Sequence, residues 1–297
     1  MTSLLNDPEA HRPHGPRFGS SYKEVDNITP QDFYQPASEK QIELARSLLE
    51  RAEKDPDFDV SIDLYQAWSE LNWKTPHGTA ASIERTTKKL NEEVMELSEE
   101  LGMPEYKYSA QRVESELGDV LWCATAISSD LRINVKHGLM MLMTRYGHNI
   151  RRFEDGSTPA WVKRAQALAF DNTLTTASVD SVIDEGYQSE EAAVMLIDDN
   201  PKITNAEIDD AMAHLDINTK MLISIAMTNY EGDIYQSGGV YRAYEVEYLI
   251  ARIYMDVAFL AKHTANSSLA EVSRKNVQKL SLRVDNNQID KTDSPRK

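Results

Sequence analysis

An all-α fold is what this sequence predicts, and three observations carry it. Alternation of β-branched and polar residues is scarce along the 297 residues, so little of the chain suits a half-buried strand. Apolar residues recur instead every three or four positions, the period of a helix with one buried stripe. The stretches between these patterns are short, which makes successive helices antiparallel neighbours in a bundle. At 41% apolar residues, the composition is that of a soluble globular protein able to bury a real core.

The elements follow in order. Residues 1–35 hold four prolines and little periodicity and are expected to form a disordered arm. A capping box from Ser38 to Gln41 opens a small helical module at 36–56, with Ile42, Leu44, Leu48 and Leu49 on one stripe through Arg51. Leu64, Trp68 and Leu71 then predict a helix in "IDLYQAWSELNW". From Thr79 a long helix runs through Ile83, Leu90, Val94, Leu97 and Leu101 until Gly102 and Pro104 stop it. The next helix, 111–129, turns Val113, Leu117, Val120, Leu121, Ala124 and Ile127 to the core. A third, 134–153, carries Leu139, Met140, Leu142, Met143, Tyr146 and Ile150. An acidic connector at 157–204, with a helix near 189–198, leads to a capping box from Thr204 to Glu207. Helices over 217–231, 240–263 and 268–282 precede a polar tail at 286–297.

Composition also excludes several roles. A net charge of −16 argues against gripping a nucleic acid duplex, which requires Lys and Arg to replace counterions on phosphates. No apolar run is long enough to cross a bilayer, and the first residues lack an apolar signal core, so a cytoplasmic protein is expected. The single cysteine, Cys123, leaves no internal disulfide and no thiolate zinc site. Neither a Gly-rich phosphate loop nor a nucleophilic triad is visible.

Chemistry is concentrated in "NEEVMELSEEL" and "ESELGDVLW". Glu93 and Glu96 stand three apart, on one side of their helix, and Glu116 and Asp119 repeat that spacing on the next. One such pair is usually solvated surface; two on helices joined by a short loop can face each other across the hairpin. Glu116 and Asp119 are interleaved with Leu117, Val120 and Leu121 and so border the core, where carboxylates are costly unless paired or metal-bound. One or more Mg²⁺ ions, with Mn²⁺ as a substitute, would neutralise the four with the hard oxygen ligands they prefer. Glu99 and Glu100 read as a solvated helix end, and Glu92 stays undecided between surface and support. Residues 91–130 hold ten acids and two bases, whereas 131–155 hold five bases and two acids, a juxtaposition suited to a metal-bound nucleoside polyphosphate. Trp122, one turn beyond Asp119, can stack on a base or pack in the core. His137 and His148 lack companions at ligand spacing and read as surface or cap residues.

Together, "YQAW", "NEEVMEL", "ESELGDVLW" and "NIRRFEDG" resemble the all-α nucleotide pyrophosphohydrolases, the MazG-like and dimeric dUTPase-related enzymes, over residues 62–156. The resemblance implies an antiparallel helical bundle in which Glu93, Glu96, Glu116 and Asp119 hold Mg²⁺. It also implies that Asn149 and Arg152 reach the phosphates, and that a nucleoside triphosphate is cut between the α and β phosphates to the monophosphate and pyrophosphate. One of the glutamates, Glu93 or Glu116, would then orient or deprotonate the attacking water. "RFEDG" stands where many relatives have a basic Arg-Tyr-Pro sequence. Residues 205–285 resemble a worn second copy, in which Asp256 takes the place of Asp119 and Asn276 with Lys279 repeats the Asn-x-x-Lys pattern. Ile253 stands where the matching glutamate should be. A tandem pseudo-dimer is implied, with Lys279 available to a phosphate in the working half, and the bundle also offers a surface for a homo-oligomer. The alternative expectation is a non-catalytic helical scaffold that binds a nucleotide or a protein.

Overall fold

Residues 36–104, 107–149, 174–184, 205–228 and 240–285 are described in the computed structural model. Among them are ten α-helices, one π-helical turn and no strand, only an isolated bridge between Ser61 and Thr175. The all-α expectation therefore holds.

Helix α1, Glu39–Arg46, starts at the expected capping box: Ser38 Oγ accepts from Gln41 N at 3.3 Å, and Gln41 Oε1 accepts from Ser38 N at 2.9 Å. The stripe expected to continue through Arg51 is interrupted, and α2, Leu48–Lys54, is a separate helix. Ser47 causes the break, because its hydroxyl donates to the Leu44 carbonyl at 2.9 Å and competes with the helical ladder. Helix α3, Ile62–Asn72, is capped by Ser61 and buries seven of its eleven residues. Its Gln66 pins the turn after the next hairpin, donating to Ile133 O at 2.8 Å and accepting from Val135 N at 3.2 Å.

Helix α4, Ala80–Leu101, begins at Thr79 and ends at Gly102, and α5, Ala110–Asp130, returns against it as the sequence predicts. Leu90, Leu97, Leu117 and Leu121 are fully buried along this hairpin, and each such side chain contributes about 1.5–3 kcal/mol over its exposed state. At its far end Asp130 collects Gly78 N at 3.1 Å, Thr86 Oγ1 at 2.9 Å and His77 Nδ1 at 2.8 Å. Gly78 reaches it from a left-handed backbone, φ 73°, that a larger side chain would strain.

Helix α6, Val135–Asn149, does not fold back on α5; it packs against α9, Val240–Leu260. Between them in sequence are α7, Thr176–Asp184, which no pattern predicted, and α8, Asn205–Thr228, one continuous helix where two were expected. The helix expected at 189–198 lies outside the described residues. α8 and α9 form a second hairpin; α8 packs on α4 and α9 on α5, so the two hairpins share one core. Tyr254 and Thr125 meet there, hydroxyl to hydroxyl, at 2.6 Å. After the π-helical turn Ala261–Ala265, α10, Leu269–Asp285, crosses back to pack on α5. Its first turn is held by Asp180 of α7, whose carboxylate accepts from Leu269 N at 2.5 Å and Ala270 N at 2.9 Å. Each hairpin thus receives its third helix from the other half of the chain.

Close approach of α6 to α9 depends on Gly138, where an added Cβ would lie 2.9 Å from the Glu247 carbonyl oxygen. Backbone cannot swing aside as a side chain does. Gly138→Ala is therefore expected to destabilise the protein by about 1–3 kcal/mol in urea unfolding, the range for overpacking, while an exposed substitution such as Met141→Ala changes it little.

Candidate metal centre

The two carboxylate pairs meet in part. One ligand oxygen each from Glu93, Glu116 and Asp119 lies within 4.8 Å of the others, α4 supplying the first and α5 the second and third. Glu96, the fourth expected ligand, is not in this group; it sits one turn further along α4, half-buried, close enough to act on Glu93 through its charge. Asp119 is buried and Glu93 nearly so, its side chain 12% exposed.

Basic and amide groups close the site from a distant part of the chain. Lys279 of α10 approaches Asp119 Oδ2 at 2.6 Å, and Asn276 Nδ2 donates to Asp119 Oδ1 at 3.1 Å. Lys279 is itself steered by the Ser115 carbonyl at 3.1 Å and hydroxyl at 3.0 Å. Both oxygens of Asp119 thus face donors. At Glu93, burial first and then the Asp119 charge push the carboxyl up to about 7, with Glu116 and Glu96 adding and Lys89, 3.5 Å away, opposing.

The donors are hard carboxylate oxygens on rigid helices, the set that Mg²⁺ and Mn²⁺ take, and a divalent cation would remove the repulsion that keeps a proton on Glu93. Among the described residues this is the group of carboxylates so arranged.

Other predicted site residues fall differently. Trp122 packs on Trp73, ring centroids 4.7 Å apart, and is 8% exposed; its indole N–H has no hydrogen-bond partner among the described residues. The side chains of Asn149 and all of Arg152 lie outside the described residues, and α6, which carries Asn149, packs on the second hairpin. Glu100 is a correction: it is 4% exposed rather than solvated, and Arg112 faces it at 3.0 Å. Glu99 is exposed as expected, and Glu92 lies at the surface near Lys88 and Lys89. His137 is also corrected, since it pairs with buried Glu247 of α9 at 2.8 Å. Tyr65, buried and donating to Asn276 Oδ1 at 3.0 Å, carries no sequence signal beyond helical periodicity.

In the second hairpin Asp256 is buried beside Arg252 at 3.7 Å and Asn218 at 3.1 Å, and burial raises it to about 6 despite them. Ile253, three residues before Asp256, is fully buried.

Compared with known proteins, the chain matches no family model, no curated protein and no solved structure.

Glu93 makes stability pH-dependent. Below pH 4.5 it is protonated both folded and unfolded; between 4.5 and about 7 the unfolded chain loses the proton while the folded site keeps it. Stability therefore falls as pH rises through that window, by about 3 kcal/mol from this group. In chelator, Glu93→Gln is expected to unfold at higher urea than wild type at pH 8 and at nearly the same urea at pH 4.5.

Proposed function

We propose that this protein is a Mg²⁺-dependent nucleoside triphosphate pyrophosphohydrolase. The observation that carries the reading is the convergence of Glu93, Glu116 and Asp119 from two helices of one hairpin. Those three residues would hold the cation, with Glu96 one turn away as a further ligand or a ligand to a second ion. Mg²⁺, or Mn²⁺ in its place, supplies Lewis acidity at the phosphoryl oxygens and neutralises charge on the leaving group.

The chain's own groups have separable roles. Asp119, held at both oxygens, is the fixed anchor. Glu93, which a bound cation would keep ionised, is suited to accept the proton of the attacking water, and Glu116 to orient that water. The water oxygen bonds to the α phosphorus, the bond to the α–β bridging oxygen breaks, and pyrophosphate leaves with the electron pair. Lys279 is the cation nearest the carboxylates from α10 and is suited to a phosphate oxygen; Trp122, one turn beyond Asp119, is the nearest aromatic for a base, with Asn149 and Arg152 as further phosphate ligands. The mutual exchange of third helices supports reading 62–156 and 205–285 as a tandem pseudo-dimer with one working site. No helix among the described residues is long and apolar enough to cross a membrane.

A second reading, a helical scaffold without catalysis, is favoured by one contact: Lys279 already gives Asp119 a cation inside the protein. The two readings separate in a thermal-shift experiment. A ligand at a hundred times its Kd adds about 2.7 kcal/mol, so Mn²⁺ with a nucleotide should raise Tm by several degrees for the enzyme and leave a protein-binding scaffold unmoved, while a nucleotide-binding scaffold would shift but release no pyrophosphate.

Activity is tested directly with a panel of ribo- and deoxyribonucleoside triphosphates and Mg²⁺. Pyrophosphate release from at least one is expected, falling at least about a hundredfold in Glu93→Gln. No release from any, or full activity in the variant, would contradict the reading.

A further inference from the structure

Asp119 is oriented by a relay that begins on α3. Tyr65, fully buried, donates its hydroxyl proton to Asn276 Oδ1 at 3.0 Å, and the same amide donates through Nδ2 to Asp119 Oδ1 at 3.1 Å. An amide has one accepting end and one donating end. With the phenol on its oxygen, its N–H₂ end is left for the carboxylate.

Two further features fix the relay. Asn276 occupies the space beside Gly118: a Cβ added there would lie 2.9 Å from Asn276 Nδ2 and 3.0 Å from its Cβ, so a side chain next to Asp119 in sequence would push the amide off Asp119. Tyr65 cannot drift, because its neighbour Gln66 ties α3 to the 128–135 turn through Ser128, Ser129, Ile133 and Val135. Burial also holds the phenol far above its usual range, so it remains a donor.

We propose that Tyr65 is a positioning residue for the candidate cation site, setting the amide of Asn276 and through it the carboxylate plane of Asp119. The proposal rests on the reading of Glu93, Glu116 and Asp119 as cation ligands. Groups of this kind, bonded to a ligand rather than to the metal, orient the ligand and raise affinity.

The test is a double-mutant cycle on Mn²⁺ affinity, measured with the metal alone by electron paramagnetic resonance on wild type, Tyr65→Phe, Asn276→Ala and the double variant. Tyr65→Phe is expected to weaken Mn²⁺ binding about tenfold, and to change it less than about twofold once Asn276 is alanine, because the link is then already cut. In metal-free protein the Asn276 side-chain amide resonances should shift in Tyr65→Phe, a readout independent of folding in the Asn276 variants. Unchanged affinity and unchanged amide resonances in Tyr65→Phe overturn the relay, as does equal weakening in both backgrounds, which marks a general packing role. If wild type binds Mn²⁺ and Tyr65→Phe matches it, only the relay falls; if wild type binds none, the cation reading falls and takes the relay with it.

Discussion

The grip of α10 on Asp119 is the contact on which the rest of this structure depends. A carboxylate inside a helical hairpin, flanked by Glu93 and Glu116, is costly unless its charge is answered. Lys279 and Asn276 answer it, and both arrive on the last described helix. Much of the molecule seats that helix. Asp180 caps its start, Lys275 pairs with the nearly buried Glu114 at 2.8 Å, and Gly118 leaves the space that Asn276 fills. α7, with no obvious role in the sequence, acquires one here: Asp59 anchors it through Thr176 and Ala177, and it in turn holds α10.

The two hairpins solve the same electrostatic problem in different ways. In the second, Asp256 is buried next to Arg252 of its own helix and Asn218 of its partner, and the residue three before it is the apolar Ile253. An internal guanidinium supplies the positive charge, so no ion is needed for that half to pack. In the first, three acids share a small volume and Glu93 retains a proton near neutrality. The second hairpin thus differs from the first both in having an apolar residue three before its buried acid and in holding a cation of its own beside it.

Helix identity was largely legible because amphipathic periodicity and capping residues are local: Ser38, Thr79 and Gly102 mark real ends. The doubled three-residue spacing located Glu93, Glu116 and Asp119 for the same reason, since neighbours on a hairpin face each other once both helices exist. What sequence could not show depended on pairing across the chain. Glu100 reads as a helix-end charge until Arg112 is seen beside it. Asn276 and Lys279 were visible as a pattern, but their target, Asp119 rather than Asp256, follows from the crossing of α10, which no local signal encodes. Tyr65 looks like any core aromatic, and only its hydroxyl partner separates it from one.

The central claim, that the three carboxylates form one cation site, is tested most directly by anomalous diffraction from crystals grown with Mn²⁺. The account predicts an anomalous peak between Glu93, Glu116 and Asp119, with oxygens of all three near the roughly 2.0–2.2 Å expected for a small hard divalent ion, and Lys279 displaced from the Asp119 oxygen that the ion takes. Crystals saturated with Mn²⁺ that show no peak there, with Lys279 still seated on Asp119, would contradict it.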